Sequence, residues 1–259
     1  MKRNWIAGLW LAATGWLGLA GMAQPATPPA PAQARIAVAA NFADAARGLA
    51  ADYTRATGHK IDISAASTGK LYAQISNGAP FDVLLAADAD TPRKLAAEGL
   101  ADPATLHDYA VGRLVLWSRD PAQVKDGEAL LRRGAITRLA IANPELAPYG
   151  EAAREALTYV RRWEELQPRL VLGENVGQAT QFVVTGAAPL GLLPRSLVLQ
   201  ARQQGTPGSS WEVPASWHSP IVQTAVLLAH GRGNPAARGF LRYLQSPAAQ
   251  AKIHALGYD

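Results

Sequence analysis

From residue 35 onward, the hydrophobic and polar positions of the chain follow two alternating periods. Short apolar runs, such as 35–40 and 139–142, predict buried strands. Apolar residues spaced three and four apart, as in 42–53, predict helices with one buried face. The two kinds of run follow one another along most of the chain. This order favours an α/β fold with parallel, doubly wound sheets.

The predicted elements cover nearly all of this region. Residues 201–210, rich in Gly, Pro and Ser, predict a polar loop. We predict strands at 35–40, 61–64, 83–86, 114–117, 139–142, 170–172, 190–193 and 220–228, and helices at 42–57, 70–77, 91–99, 151–163, 176–185, 235–245 and 247–256.

The run 220–228 decides the predicted domain organisation. It is too long and too apolar for a surface loop, so we interpret it as a strand that returns the chain to its first half. Two lobes joined by a hinge follow from this, one formed by 35–113 plus 220–259 and the other by 114–219. Lobes connected in this way leave a cleft between them.

Four of the predicted helices begin at corners made of small or polar residues. These corners are 40–41, 67–68, 148–150 and 175–177. In parallel α/β sheets, such corners lie at the carboxyl ends of the strands, where ligands bind. The free N–H groups in the first turn of a helix carry partial positive charge. If the lobes face each other, these helix ends converge and can hold a dianion.

The side chains at the corners leave more than one interpretation open. Asn41 is a good helix N-cap, and the hydroxyls of Ser67 and Thr68 can either cap their own helix or reach a ligand. Lys70 is the basic residue at these corners, and we expect it to point to solvent. Because arginine forks suit planar carboxylates, a pocket with neutral donors favours a compact tetrahedral anion.

Residues 1–34 differ in composition from the rest of the chain. Residues 1–23 combine a basic start, an apolar core and a small-x-small end, which is typical of a signal peptide. Residues 24–34 are rich in Pro and Ala and predict an extended linker. No later apolar run is long enough to span a membrane, so we expect an exported, soluble protein. The chain has no cysteine, which excludes disulfides and thiolate metal sites.

Charge and motif spacing argue against nucleic-acid binding and against enzymatic activity. The net charge of +5 comes from scattered basic residues without interleaved aromatics. The Ser-Thr-Gly-Lys sequence at 67–70 lacks the first glycine and the last hydroxyl residue of a phosphate loop. The histidines show no metal-ligand spacing, and no Gly-x-Ser-x-Gly elbow occurs. Asp88 and Asp90 are expected to be exposed at a strand end, without a ligand.

Several short segments carry a family resemblance. They are Val-Ala-Ala-Asn-Phe at 38–42, Ser-Thr-Gly-Lys-Leu-Tyr-Ala-Gln-Ile at 67–75, Gly-Ala-Pro-Phe-Asp-Val at 78–83, Asn-Pro at 143–144 with Pro-Tyr-Gly at 148–150, Glu-Asn-Val at 174–176, and Asn-Pro-Ala-Ala at 234–237. With these segments, residues 35–258 resemble the periplasmic molybdate-binding proteins of ABC import systems. The resemblance implies the type II periplasmic binding protein fold, in which two α/β lobes close on one tetrahedral oxyanion.

The resemblance also implies a set of oxyanion contacts, none of them a direct ligand of the metal atom. Position 194, where some members have a further tyrosine contact, is Pro194 here, and we expect the backbone or hydroxyl of Tyr149 to substitute for it. Ala40, where relatives carry a hydroxyl residue, can offer only its N–H. The implied contacts are Ala40, Asn41, Ser67, Thr68, Tyr149 and Val176, the last through its backbone N–H.

The implied function is a periplasmic receptor that binds molybdate, and also tungstate, and delivers it to an ABC permease. The resemblance implies no cofactor, no enzymatic activity and no nucleic-acid partner, and we expect a monomer. Ion size cannot be derived from the residues. A receptor of the same fold for sulfate, phosphate or a small organic acid therefore stays open as the alternative.

Overall fold

The computed structural model describes residues 31–259 of the chain. The predicted signal peptide at 1–23 and most of the predicted linker lie outside the described residues. No helix between residues 31 and 259 has the length and apolar character that a bilayer crossing requires. The described region is built from two five-stranded sheets with helices packed around them.

Strands and helices alternate through the described region, largely as the sequence predicts. The strands are β1 Gln33–Ala39, β2 Lys60–Ala66, β3 Val83–Leu85, β4 His107–Gly112, β5 Leu114–Ser118, β6 Leu139–Ala142, β7 Leu170–Gly173, β8 Leu190–Pro194, β9 Ser209–Glu212 and β10 Ile221–Leu227. The helices are α1 Ala43–Thr57, α2 Thr68–Ser76, α3 Asp90–Ala97, α4 Gly127–Arg133, α5 Pro148–Tyr159, α6 Trp163–Leu166, α7 Val176–Val184, α8 Arg195–Gln203, α9 Pro235–Leu244 and α10 Pro247–Ala255.

The two sheets share a similar plan. The first has the strand order β2-β1-β3-β10-β4, and the second has the order β7-β6-β8-β5-β9. Within the first sheet, β10 runs antiparallel to β3 and β4, and within the second, β5 runs antiparallel to β8 and β9. The expectation of purely parallel sheets is therefore wrong, because in each sheet a strand that crosses from the other lobe enters in the opposite direction.

The apolar run 220–228 forms β10 and returns the chain to the first sheet, as predicted. The chain first crosses between the sheets between β4 and β5, at Arg113. The exact lobe boundaries at 113/114 and 219/220 stay a prediction.

Two local expectations are wrong, and some elements lie where none was predicted. Strand β1 begins at Gln33, inside the predicted linker, because Ala34 is fully buried and pairs with Ile61. The predicted loop at 201–210 instead contains the end of α8 and the start of β9. Strand β4 and helix α4 have no counterpart in the prediction.

The two sheets each have an apolar core, and the cores approach each other at one edge. Most of the residues packed around Leu116, Ile141 and Leu192 belong to the second sheet and its helices. Ala39 and Ala87, which follow or end strands of the first sheet, are buried in this same cluster. The carboxyl ends of the first-sheet strands therefore lie directly against the second lobe.

Candidate functional site

A small cavity lies where the two sheets meet. Its free space is about what a single water molecule needs. All six residues predicted as oxyanion contacts line it. The lining consists of Ala39, Ala40, Asn41, Ser67, Thr68, Ala87, Ala147, Pro148, Tyr149, Asn175 and Val176.

Each predicted corner brings the start of a helix to this cavity. β1 leads through a 3-10 turn at Ala40–Phe42 into α1, and β2 leads through Ser67 into α2. On the opposite side, α5 follows β6 and α7 follows β7. The carboxyl ends of strands from both sheets thus place positive helix termini around one point, as expected for this class of fold.

The first lobe contributes two hydroxyl groups. Ser67 is 3% exposed, and its Oγ has no hydrogen-bond partner among the described residues. Thr68 Oγ accepts a hydrogen bond of 3.1 Å from the N–H of Ala87. Because this bond occupies an oxygen lone pair, the hydroxyl proton of Thr68 remains able to donate. Neither hydroxyl caps helix α2, so the helix-capping interpretation is wrong for both.

The second lobe contributes main-chain donors. Val176 is the first residue of α7, and Tyr149 is the second residue of α5 after Pro148. N–H groups at these positions have no acceptor within their own helix. The side chain of Asn175 accepts a hydrogen bond of 3.1 Å from the N–H of Gln178 and so holds the start of α7 in place. The N–H of Val176 is thereby left free for a guest.

Asn41 does not act as the predicted N-cap. Its side-chain amide is buried and donates to Gln223 Oε1 at 2.8 Å and to the hydroxyl of Tyr258 at 3.2 Å. Helix α1 begins two residues later without a side-chain cap. Since both amide hydrogens are engaged, the donor that Asn41 can offer to a guest is its main-chain N–H.

The hydroxyl of Tyr149 is also committed elsewhere. It accepts a hydrogen bond of 3.4 Å from Gln223 Nε2 and packs against Gly112, where a Cβ would overlap it. Burial raises the pKa of Tyr149 well above its usual value, so the hydroxyl stays protonated. Because the contact with Gln223 uses the hydroxyl only as an acceptor, the replacement of the contact missing at Pro194 by the Tyr149 backbone or hydroxyl stays a prediction. Pro194 itself ends β8 and pairs with Leu114.

None of the residues that line the cavity carries a charge. Lys70 does not simply point to solvent as expected: its Nζ contacts the Glu174 carboxylate of the second lobe at 2.6 Å. Next to this ion pair, the N–H of Gly69 donates to the carbonyl of Leu146 at 2.9 Å. These two contacts join the rims of the cleft outside the cavity.

The aspartates near the first sheet have structural partners. Asp82 is buried, accepts a hydrogen bond from the N–H of Arg35 and contacts His230. Asp88 accepts hydrogen bonds from the N–H and the hydroxyl of Thr91, and burial raises its pKa. The expectation that Asp88 is exposed is therefore wrong. Within residues 31–259, no group of three or more His, Asp or Glu side chains could hold a metal ion.

Sequence reasoning missed the third strand end of the first lobe. Ala87 follows β3 and lines the cavity, as do Ala39 and Ala147 beside the predicted corners. The two small residues after the apolar run at 83–85 are the same signal that identified the other corners. The network behind the cavity, with Gln223 at its centre, has no signal in the local sequence.

Comparisons with known proteins agree on one family. The family model described as bacterial extracellular solute-binding protein matches residues 34–259. The molybdate-binding protein ModA of Azotobacter vinelandii is 45% identical over 227 residues, which cover 88% of this chain and 90% of the relative. The protein of the same name from Rhodobacter capsulatus is 43% identical over 233 residues, 90% of each chain.

A solved structure supports the same relationship. The periplasmic molybdate-binding protein of Azotobacter vinelandii superimposes with a TM-score of 0.83 at 38% sequence identity. The superposition covers 87% of this chain and 98% of that structure. The two-lobe α/β architecture is therefore shared over nearly the whole described region.

Proposed function

This chain belongs to the bacterial extracellular solute-binding proteins, and we propose that it is a receptor that binds molybdate in the cavity and delivers it to an ABC transporter. The main support for this proposal is that hydroxyl and main-chain donors from both lobes converge on one cavity, and that no residue lining this cavity is charged. The close relatives named ModA are molybdate-binding proteins and not enzymes.

The donors fit a compact dianion. We propose that the main-chain N–H groups of Asn41, Tyr149 and Val176 and the hydroxyls of Ser67 and Thr68 contact its oxygens, with the N–H of Ala40 at the same turn. Hydrogen bonds to a charged group contribute about 1.5–3 kcal/mol each. Peptide dipoles at the helix starts add to them without the desolvation cost of a buried basic side chain. Tungstate presents the same tetrahedral oxygens, and we propose that it also binds.

The proposed donors are divided between the two lobes, so we expect the cleft to close when an oxyanion binds. The hydroxyls belong to the first lobe, whereas Tyr149 and Val176 belong to the second. An oxyanion reaches all of its donors only when the lobes approach, so binding favours the closed arrangement. We place the hinge at 113/114 and 219/220, where the chain passes between the sheets.

The remaining parts of the proposal concern location and partners. Residues 1–23 have the composition of a signal peptide, which supports export to the periplasm. We propose that the exported chain is a monomer that docks on the permease of its transporter. No cofactor is needed, because the oxyanion is the cargo.

Isothermal titration of the purified protein with molybdate, tungstate, sulfate and phosphate tests this function. We expect molybdate and tungstate to bind with micromolar or lower Kd and the smaller sulfate and phosphate to bind at least about tenfold more weakly, a difference of about 1.4 kcal/mol. Sulfate binding as tight as molybdate binding would refute the specificity. Absence of binding by any of the four ions would refute the receptor function.

A further inference from the structure

A buried polar network lies directly behind the cavity, and Gln223 is at its centre. Gln223 is fully buried in β10 and does not line the cavity. Its Oε1 accepts from the amide of Asn41 at 2.8 Å and lies 3.1 Å from the hydroxyl of Tyr109. Its Nε2 donates to the hydroxyl of Tyr149 at 3.4 Å. One side chain thus contacts a cavity residue from each lobe.

The direction of these hydrogen bonds can be assigned by starting from the hydroxyl of Tyr258. The hydroxyl of Tyr258 donates its single proton to the main-chain carbonyl of Asn41 at 2.7 Å. The Asn41 group 3.2 Å from the same hydroxyl must therefore be the donating amide nitrogen. That nitrogen requires an acceptor on Gln223, which directs Oε1 towards Asn41 and Nε2 towards Tyr149. A neutral amide accepts with its oxygen and donates with its nitrogen, so the Gln223 side chain can serve both sides at once.

The backbone around Gln223 is irregular at this position. The register between β10 and β4 shifts between Gln223 and Thr224, and Tyr109 of β4 is the residue left over at the shift. Such bulges redirect a side chain and interrupt regular pairing. A fully buried amide is also costly unless it is hydrogen-bonded, so a purely apolar core would be the simpler solution for this strand. The hydroxyl of Tyr109, the extra residue of β4, lies 3.1 Å from Gln223 Oε1, so the irregular strand contributes a partner to the buried amide.

We propose that Gln223 is a positioning residue that couples the two sides of the cleft, orienting the turn at Asn41 and holding the start of α5 through the Tyr149 hydroxyl. This inference rests on the proposed function, because Asn41 and Tyr149 are the contacts it positions. Gln223 does not touch the guest. Its contribution is to keep the main-chain donors of opposite lobes aimed at one point.

A double-mutant cycle tests the coupling. Gln223→Met keeps the length of the side chain and removes both polar groups, and Tyr149→Phe removes only the hydroxyl. We expect molybdate Kd to rise about tenfold in Gln223→Met and about threefold in Tyr149→Phe, as for the loss of one or two hydrogen bonds. In the double variant we expect about tenfold, not about thirtyfold, because both changes break the same contact. Additive effects, or an unchanged Kd in Gln223→Met, would overturn the proposal.

Thr224→Val is the matched control. Thr224 is the next residue of β10 and is also buried, but its hydroxyl donates to Asp108 outside the network. We expect this variant to lose stability while its molybdate Kd stays within about twofold of the parent protein, since it touches no cavity residue. If Gln223→Met lowers only the melting temperature, as Thr224→Val does, the role of Gln223 is structural and the proposal is wrong.

A measurement without molybdate separates this inference from the proposed function. The chain has no cysteine, so Arg55→Cys in the first lobe and Leu172→Cys in the second can carry a donor and acceptor dye pair. We expect Gln223→Met and Tyr149→Phe to widen the interlobe distance distribution in guest-free protein, and Thr224→Val to leave it unchanged. An unchanged distribution in both network variants would refute the coupling even if molybdate binds well. Should Gln223→Met not fold, Tyr149→Phe alone decides the outcome by the same two readouts.

Discussion

Both sides of the cleft offer main-chain N–H groups, but side-chain hydroxyls are proposed as donors on the first-lobe side alone. On the first-lobe side, Ser67 and Thr68 present side-chain hydroxyls, one of which has no partner among the described residues. On the second-lobe side, Tyr149 and Val176 present main-chain N–H groups at the starts of α5 and α7. A hydroxyl depends on the identity of its residue, whereas a main-chain donor depends only on where the helix begins. Side-chain substitutions should therefore weaken binding on the first-lobe side, whereas on the second-lobe side the loss of a main-chain N–H should weaken it.

The largest effect is expected from a change that removes a second-lobe donor without disturbing the helix. Val176→Pro deletes the N–H at the first helical position, where proline is well tolerated. Asn175 has φ −153° and ψ 172°, an extended conformation that a following proline favours. Titration calorimetry should show molybdate Kd raised about 10- to 100-fold, the equivalent of one charge-assisted hydrogen bond.

Val176→Ala is the control for this variant. It removes the buried side chain and keeps the N–H, so we expect lower thermal stability and a molybdate Kd close to that of the parent protein. If Val176→Ala weakens binding as much as Val176→Pro does, the side chain matters and the contrast between the two sides fails.

A smaller effect is expected from the first-lobe hydroxyls. Ser67→Ala should raise molybdate Kd about tenfold, as for the loss of one hydrogen bond to a charged group. Its melting temperature should not fall, because the Ser67 hydroxyl has no partner among the described residues. Calorimetry and a thermal melt on the same sample provide both values.

Thr68→Val distinguishes donation to the guest from support of the fold. This variant also loses the acceptor for the N–H of Ala87, so stability should fall by about 1–3 kcal/mol, the cost of an unpaired buried donor. Equal stability losses in Ser67→Ala and Thr68→Val would contradict the different hydrogen-bonding of the two hydroxyls.

The smallest effect is expected at the rim that joins the two sides. The Lys70 and Glu174 side chains are 41% and 66% exposed, and such pairs contribute about 0.2–1 kcal/mol. Lys70→Ala should speed molybdate release about two- to fivefold in stopped-flow measurements at low salt. The difference should shrink as salt screens the pair.

Arg93→Ala removes an exposed ion pair that lies within the first lobe, between Arg93 and Asp90. It should leave the release rate unchanged at every salt concentration. A release rate that responds equally to both variants would show that the interlobe ion pair has no role in closure.

Much of the fold was predictable because its signals are local. The apolar runs of β6 and β10 predict strands, and the amphipathic spacing of α1 with its start and stop residues predicts a helix. Helix α4 was missed although Asp126 caps it and arginines end it, because it is short. Strand β9 begins inside the region predicted as a loop, since it lies at a sheet edge and carries polar residues.

At the site, the residues could be predicted from the sequence, but the atoms with which they face the cavity could not. All six contacts that the resemblance implies line one cavity, and each lies at one of the four corners that the sequence pattern predicts. The expected role of Asn41 as a cap was wrong, and the Tyr149 hydroxyl faces Gln223. Both side chains have partners that no local pattern specifies.

The starts of the helices, and the small and polar residues that stand there, follow from the amino-acid sequence alone, because capping and periodicity act over a few neighbouring positions. The atoms that face the cavity depend on tertiary packing. Asn41 meets its Gln223 acceptor 182 residues away along the chain, and Tyr149 meets the same side chain across 74 residues. Hydrogen-bond direction in a buried network is set by every partner at once, and those partners come together only when the two sheets pack.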